Sequence, residues 1–475
     1  MNIQLIIDTL NKETGGNLSG AYYARIREWE AWWRGCYRPF HQFREWSGNQ
    51  LVRREMYTLG MAKKVCEDWA SLLLNEETRL TVGHRKSSEF LQGRDGGGGV
   101  LAECDFWRQA NALVEKAFMS GTGAMVLRLG GVEVRDGRVI PQGGRIAIEY
   151  LPAQNIIPLT VRQGRIVEAA FASEALEGGE RLVYLETHTL GEGSYVIRNR
   201  YFKEENGELK PRSLPEGMAE TIETGSDIPL FAILRPALVN NADEGTGLGL
   251  SIFANAVDCL KGVDLAFNNF CRDFKLGGKK VFLNHSLTAR DRDGAIITPD
   301  DVAQQLFLDM GDNDGLDAQR LIHEFNPSLR VEENARGLQA QLDYLSFKCG
   351  LGTRHYQFER GKILTATQYM GDRQELVQNA AKHGLAVRRA VEEILRAILW
   401  AGKEALGLDV RPDCPITVIL EDGYLTDRES QRSRDREEVR DGLLRRWEYR
   451  AKWYGETEAQ ARAAVLEEEK EERGR

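Results

Sequence analysis

Residues 124–202 decide the fold. Six segments there alternate apolar and polar side chains: AMVLRLG (124–130), VEVRDGRVI (132–140), RIAIEYL (145–151), GRIVEAAFA (164–172), ERLVYLETHTL (180–190) and GSYVIRNRYF (193–202). A period of two puts successive side chains on opposite faces of a strand. Gly130-Gly131, Asp136-Gly137 and Gln142-Gly143-Gly144 are turn signals between the segments. The pattern predicts an antiparallel meander of six or more strands that ends near Pro236. No helical periodicity separates successive strands. That disfavours a run of βαβ units and the doubly wound nucleotide-binding sheet they build.

Upstream, residues 1–75 read as helices. Trp29, Trp32 and Trp33 sit at helical spacing, and Met61, Val65, Trp69, Leu72 and Leu73 make an apolar stripe. Both are read as core rather than as a stacking platform. Gly96 to Gly99 is a flexible loop, and residues 105–120 are another helix. Downstream, residues 249–275 carry a wide helical apolar face from Leu250 to Phe274. A compact insert runs from Gly277 to Arg330, with a strand at Lys280–Leu283 and a helix entered at Thr298-Pro299-Asp300-Asp301. A second helix runs from Val331 to Cys349, so an αα pair carries the insert at its tip.

Thr365-Ala366-Thr367-Gln368 fits a capping box. It opens a long helix to about Leu406, with Gly371, Gly384 and Gly402 as candidate kinks. The strand ITVIL (416–420) follows. From Asp427 onward, 13 basic and 14 acidic residues alternate with few apolar ones. Capping boxes at Thr426 and Thr457 and a Val439, Leu443, Trp447 stripe make this a small surface helical unit. The fold class is therefore α+β.

The 475 residues leave ample length for a core, and 42% apolar with 28% charged residues is ordinary globular usage. Lys+Arg 63 against Asp+Glu 72 leaves −9, so any contact with nucleic acid must be local. Seven scattered cysteines without a CxxC pair are read as reduced, mostly packed thiols in a reducing cytoplasm. The N-terminus lacks the pattern of a signal peptide, and no apolar stretch reaches the 18 residues a membrane span needs.

The loudest motif is Gly245-Thr246-Gly247-Leu248-Gly249-Leu250-Ser251. It matches the glycine-rich box of histidine-kinase-type ATPases, but neither the upstream Asn helix nor the adenine-binding DxGxG box precedes it. The segment is read as a flexible turn ending the sheet. Asp291–Asp300 and Asp312–Leu321 imitate calcium loops yet lack the first ligand, held by Ala289 and Met310. No GxxxxGK[ST], HExxH or GxSxG occurs, so no enzyme and no cofactor are expected. The most functional-looking surface is the loop 352–362, with Arg354, His355, Arg360 and Lys362 against one acid, Glu359.

The order of these parts resembles the portal proteins of tailed bacteriophages, in particular long-tailed phages of Gram-positive hosts. The Trp-rich helix with Gly35 and the string Ala70-Ser71-Leu72-Leu73-Leu74-Asn75-Glu76 are similar to that family. So are Gly247 to Ala256 followed by Leu260-Lys261-Gly262-Val263-Asp264, then Thr365-Ala366-Thr367-Gln368, and Tyr454-Gly455 with its acidic helix. Gln368 stands where the family usually has Glu; capping survives the change.

The resemblance implies a wing (1–247, helical and then β meander), stem helix 1 (248–276), a small α/β clip (277–330) and stem helix 2 (331–350). It further implies a tunnel loop (351–364), a long helix (365–407), a wing strand (408–425) and a crown (426–475). It implies a homo-oligomeric ring, twelve subunits in the virion, at one capsid vertex, assembled in the host cytoplasm. The implied partners are the large terminase subunit, major capsid and scaffolding proteins, a head–tail adaptor and double-stranded DNA read without sequence preference. The tunnel loop would touch DNA, and Lys279, Lys280, Arg290 and Arg292 of the clip would dock terminase or adaptor. A capsid or head–tail adaptor without a channel, and an ATP-binding enzyme built on the glycine box, are the alternatives.

Overall fold

Ile3, Ile6, Ile7 and Leu10 share one face of the first helix, α1 (Ile3–Thr14), and all are buried. The structure, a computed structural model, describes residues 2–47, 50–94, 98–135, 137–141, 144–177, 179–283, 289–290, 292–293, 296–297, 307–309, 322–357, 374–420, 428–454, 456 and 458–473. Helices α2 (Tyr23–Trp33), α3 (Arg38–His41) and α4 (Met61–Leu73) follow. Trp29, Trp32, Val65, Trp69 and Leu73 are buried, so the aromatic and apolar stripes are core. Between α3 and α4 the chain departs from the expected helices. Residues 42–55 form a hairpin, β1 (Gln42–Ser47) on β2 (Gln50–Glu55). Its side chains are largely exposed on both faces, so it offers no apolar alternation to read.

Strand β3 (Arg79–Val82) and helices α5 (Arg85–Gln92), α6 (Gly99–Glu103) and α7 (Phe106–Ser120) lead into the β region. The expected meander is present but divides into two sheets and a separate two-stranded hairpin. β4 (Gly123–Gly130) is followed by the small hairpin β5 (Glu133–Arg135)–β6 (Arg138–Ile140) and by β7 (Arg145–Pro152). Pro152 and the 3-10 turn Ala153–Asn155 then redirect the chain. From there β8 (Ile156–Arg162), β9 (Arg165–Glu177), β10 (Glu180–Gly191), β11 (Ser194–Glu205) and β12 (Glu208–Arg212) pair in sequence order, all antiparallel. β13 (Thr221–Glu223) adds to β11. β14 (Phe231–Leu234) returns to β4, which it flanks opposite β7.

The glycine box is not a flexible turn. Gly247 and Gly249 are followed by Leu250, Ser251, Ile252 and Phe253, all buried. A methyl group on Gly249 would fall 2.1 Å from the Gly121 carbonyl oxygen, and one on Gly121 would fall 2.3 Å from that of Gly249. Gly121 also sits at φ 81°, the left-handed region where a side chain is strained. Burying 250–253 in extended and turn geometry delays the next helix. α8 (Val257–Leu276) therefore starts later than the expected 249, after a 3-10 turn at Ala254–Ala256.

α8 pairs with α9 (Val331–Lys348). Gly262 faces Gln341, whereas Asp273 bonds Arg330 and Asn334, so the two run antiparallel. The segment between them contributes β15 (Lys280–Leu283), the two-residue strands β16 (Ala289–Arg290) and β17 (Ile296–Ile297), β18 (Phe307–Asp309) and β19 (Ile322–Phe325). β15 is central, parallel to β18 and antiparallel to β19. A parallel neighbour needs a crossover of about a dozen residues or more, which residues 284–306 supply. The helix expected from Thr298 and both calcium-like turns lie wholly or mostly outside the described residues.

Helix α10 (Gln374–Glu404) is the central buried helix, with Ile394, Leu395, Ile398 and Leu399 fully enclosed. It runs unbroken through Gly384 and Gly402. Gly402 acts by its size, since a methyl there would meet Phe90 at 2.7 Å. Thr365–Gln368 and Gly371 lie outside the described residues. β20 (Ile416–Ile419) pairs antiparallel with the distant β3.

The chain closes with α11 (Arg428–Arg440), α12 (Arg446–Tyr454) and α13 (Glu458–Arg473). The expected Val439–Leu443–Trp447 stripe is not a helix face: the helix stops at Arg440 and Leu443 is 80% exposed. Arginine stacking replaces it, Arg462 lying 4.3 Å from the Trp447 ring and Arg432 5.8 Å from that of Trp453. Thr426 and Thr457 lie outside the described residues.

Gly121→Ala and Gly249→Ala are each expected to cost about 3 kcal/mol or more, because backbone rather than a flexible side chain must move. Chemical denaturation of the two variants beside Gly207→Ala checks this. Gly207 has open space around it at a comparable φ of 78°, so it carries the backbone cost without the clash.

Candidate functional site

The loop that follows α9 leaves the helix under tight control. The Trp69 indole donates to the Cys349 carbonyl at 3.1 Å, and Asn379 Nδ2 donates to the Gly350 carbonyl at 3.0 Å. Gly350 and Gly352 take φ of 76° and 79°, so the chain turns sharply between α9 and α10. Leu351 is buried. Arg354 is exposed and is itself left-handed at φ 63°.

The next two residues are tied down. The Tyr356 hydroxyl donates to Asp68 Oδ2 at 2.9 Å, and Gln339 Nε2 donates to the Tyr356 carbonyl at 2.7 Å. His355 Nε2 lies 3.6 Å from the same Asp68 oxygen. Lys64 completes the ring of donors. Burial alone would raise the Asp68 carboxyl, but the His355, Lys64 and Tyr356 contacts outweigh it and hold the group below its ordinary range. Burial, then Asp68, pushes the Tyr356 hydroxyl up.

Of the four expected DNA-contact residues, Arg354 is presented to solvent. His355 is instead turned toward an acid on α4, because a half-buried carboxylate needs donors. It is therefore not a free cation of the loop. Arg360 and Lys362 lie outside the described residues. In the insert, Lys279 spends its charge on Glu324 at 2.7 Å, and Arg292 is exposed. Lys280 opens β15, half-buried, and Arg290 lies on the short strand β16.

The sequence reading missed three buried histidines, His41, His188 and His383. His383 on α10 accepts from the Ala237 amide at 2.9 Å through Nδ1, which leaves its proton on Nε2. Trp69 and Phe118 flank its ring at 4.8 and 5.2 Å. Burial, then Lys382, lowers its pKa to about 4. His41 Nε2 meets Asp264 Oδ2 at 3.0 Å. The same carboxylate accepts from the Leu59 amide at 2.8 Å and from Thr58. Asp264 thus pins the segment between β2 and α4 to α8. A lone His or Asp on an apolar helix face is the signal, but its partner lies some 200 residues away in the chain.

A polar cluster also fills the inner face of the large sheet. Arg128 pairs with Glu149 at 2.7 Å and with Glu186, which in turn meets His188. The Tyr184 hydroxyl lies 2.6 Å from Glu186 Oε2 and 2.8 Å from Asn199 Oδ1. These contacts join β4 and β7 to β10 and β11, while His188 Nδ1 is buried with no hydrogen-bond partner among the described residues. The glycine box offers no phosphate cradle, since the Gly249 amide donates to Thr122 Oγ1 at 2.8 Å and Gly245 to Asp243 at 3.0 Å.

Among the described residues, no group of three or more His, Cys, Asp and Glu is placed to hold a metal ion, and no helix is long and apolar enough to cross a membrane. All seven cysteines are free, Cys36 being the exposed one. No protein-family model and no curated protein matches this chain.

Beside their charged residues, the α8–α9 pair exposes large apolar side chains. Leu265, Phe274 and Leu276 on α8 and Val331, Tyr344 and Phe347 on α9 all reach solvent.

Two outcomes are expected here. Asp68→Asn should cost roughly 1–2 kcal/mol and raise amide exchange over 353–357 while the helices keep their protection. His383, with a folded pKa of about 4, binds fewer protons than the unfolded side chain near 6.5. Its stabilisation is full above about pH 6.5 and is lost as pH falls toward 4, about 2 kcal/mol at pH 5. Urea midpoints across pH 4–7 should therefore fall less steeply in His383→Asn, which keeps an acceptor for Ala237.

Proposed function

We propose that this chain is the subunit of a phage portal, a ring at one capsid vertex through which terminase packages DNA and to which the tail is joined. The observation that carries the reading is the antiparallel α8–α9 stem with its small three-stranded sheet at the tip and large apolar side chains on its outer surface. Such a stem has no reason to expose Tyr344 (63%) and Phe347 (50%) in a monomer. Side-by-side stems in a ring would cover them. In this reading residues 1–247, with the strand segment 408–425, form the wing, and the segment 277–330 is the clip that meets terminase or adaptor. α10 follows the tunnel loop, and α11–α13 form the crown.

The electrostatics support a channel rather than a grip. Each phosphate that a cation neutralises adds affinity, so a strongly basic lining would stall a moving duplex. The chain is net acidic at −9, and the clip carries 6 basic and 9 acidic residues. Arg354, Arg360 and Lys362 would supply brief, salt-sensitive contacts to the DNA backbone, with the root of their loop held by Asp68 and Asn379.

Averaged electron images of the purified protein test the reading. Rings with an axial hole support it, and particles without a hole favour an adaptor. Arg354→Ala/Arg360→Ala/Lys362→Ala should leave rings and empty heads intact while packaging or genome retention falls. Normal packaging by that variant would remove the loop from the mechanism.

A further inference from the structure

The hairpin β1–β2 stands apart from the other sheets, tied to α8 through Glu45 and Arg272. Among the described residues it pairs with no third strand, and an isolated two-stranded hairpin is marginally stable in water. Its tip-side pair is Trp46 opposite Leu51, 71% and 48% exposed. Its basal part sets Arg44 directly opposite Arg53. Like charges at directly opposed positions repel, so this register calls for an anion nearby. Arg38 joins them on an open notch of ≈ 500 Å³ that also includes Pro39, Gln42 and Phe43. Among the described residues no carboxylate pairs with Arg38, Arg44 or Arg53. By contrast, Arg54 and Arg272 of α8 share Glu45, which fixes the hairpin against the stem.

A complementary surface exists elsewhere on the same chain. Phe325, Leu329 and Val331, at the entry to α9, are each about two-fifths exposed. Glu332 and Glu333 follow on the exposed first turn of α9. Glu332 is 3.3 Å from its own Arg336, and Glu333 has no cation among the described residues. The two surfaces lie on different sides of α8. Asp264, Asn268 and Arg272 face the hairpin and its flank, whereas Gly262 and Asp273 face α9. At 100° per residue those two sets are about 130° apart. A subunit with the donor surface on one side and the acceptor on the other makes a head-to-tail contact, the kind that closes rings.

We propose that the β1–β2 hairpin is an arm that docks on a second copy of this chain. Trp46 and Leu51 cover the apolar entry to the neighbour's α9, and Arg44 and Arg53 meet Glu332 and Glu333 there. The inference rests on the ring reading above and names one of its contacts.

Charge exchange tests it. Arg44→Glu/Arg53→Glu should raise the protein concentration needed for ring assembly roughly tenfold or more, and Glu332→Arg/Glu333→Arg should do the same. Mixing the two variants should restore assembly, because each arm then finds an opposite charge on the other. That rescue also shows that both variants fold. Independently, Trp46→Cys/Leu329→Cys in a Cys36→Ser background, oxidised with copper–phenanthroline, should give a ladder of covalent multimers on a denaturing gel.

Wild-type-like assembly of both charge variants, or an absent ladder from assembled rings, overturns the arm and leaves the ring reading standing. Duplex DNA binding that falls in Arg44→Glu/Arg53→Glu while assembly is unchanged also overturns it, making the hairpin a nucleic-acid contact. A wild-type protein that stays monomeric at every concentration removes both readings.

Discussion

Two stretches of backbone touch where the turn after α7 crosses the strand-like segment before α8, and neither has room for a side chain. That contact, Gly121 on Gly249, sets where the segment leading into α8 meets the sheets. Hydrogen bonds then lock it. Gly249 donates to Thr122, Ile252 donates to the Phe118 carbonyl at 2.9 Å, and the Tyr22 hydroxyl donates to the Gly249 carbonyl at 2.8 Å. Three parts of the chain far apart in sequence therefore share one junction. The residues after it, Leu250 to Phe253, spend themselves on the core instead of starting a helix.

A second junction follows within α8. Asp264 is a buried carboxylate, and a buried charge is tolerated only when donors surround it. His41, Thr58 and the Leu59 amide supply them, and Asn268 one turn later accepts from the Tyr57 amide at 3.2 Å. The N-terminal helices are thus registered on α8 by polar contacts with fixed directions. Apolar packing alone would let them slide.

The sequence was most legible where local periodicity and burial agree. The strands β9 to β11, the stripe of α4, the long helix α10, and the α8–α9 pair around an inserted strand were all readable from the chain. The hairpin at 42–55 was not, because side chains exposed on both faces leave no alternation. The split of the meander was not, because it depends on which strand β14 chooses, a pairing across some 100 residues. The glycine box misled for a related reason. Glycine marks both freedom and close approach, and only Gly121, 128 positions upstream, distinguishes them. At the candidate loop the positive charges were visible, but the acid that claims His355 sits on α4, far from it in the chain.

The C-terminal helices α11–α13 are built on another principle. Their contacts are arginine on aromatic rings, Trp453 donating to Asp435 at 2.7 Å, Lys452 beside the same acid at 2.8 Å, and Arg450 on Glu456 at 2.7 Å. Among the described residues of these helices, Ala461 is the one fully buried apolar side chain. The heat-capacity change of unfolding comes from apolar area, which is small here. Opening of this unit should therefore have an enthalpy nearly independent of temperature, while the core around α10 follows a strongly curved stability profile. On cooling, the core loses part of its hydrophobic driving force and the C-terminal helices lose little. One chain thus joins two materials with different thermal responses, and their relative firmness changes with temperature.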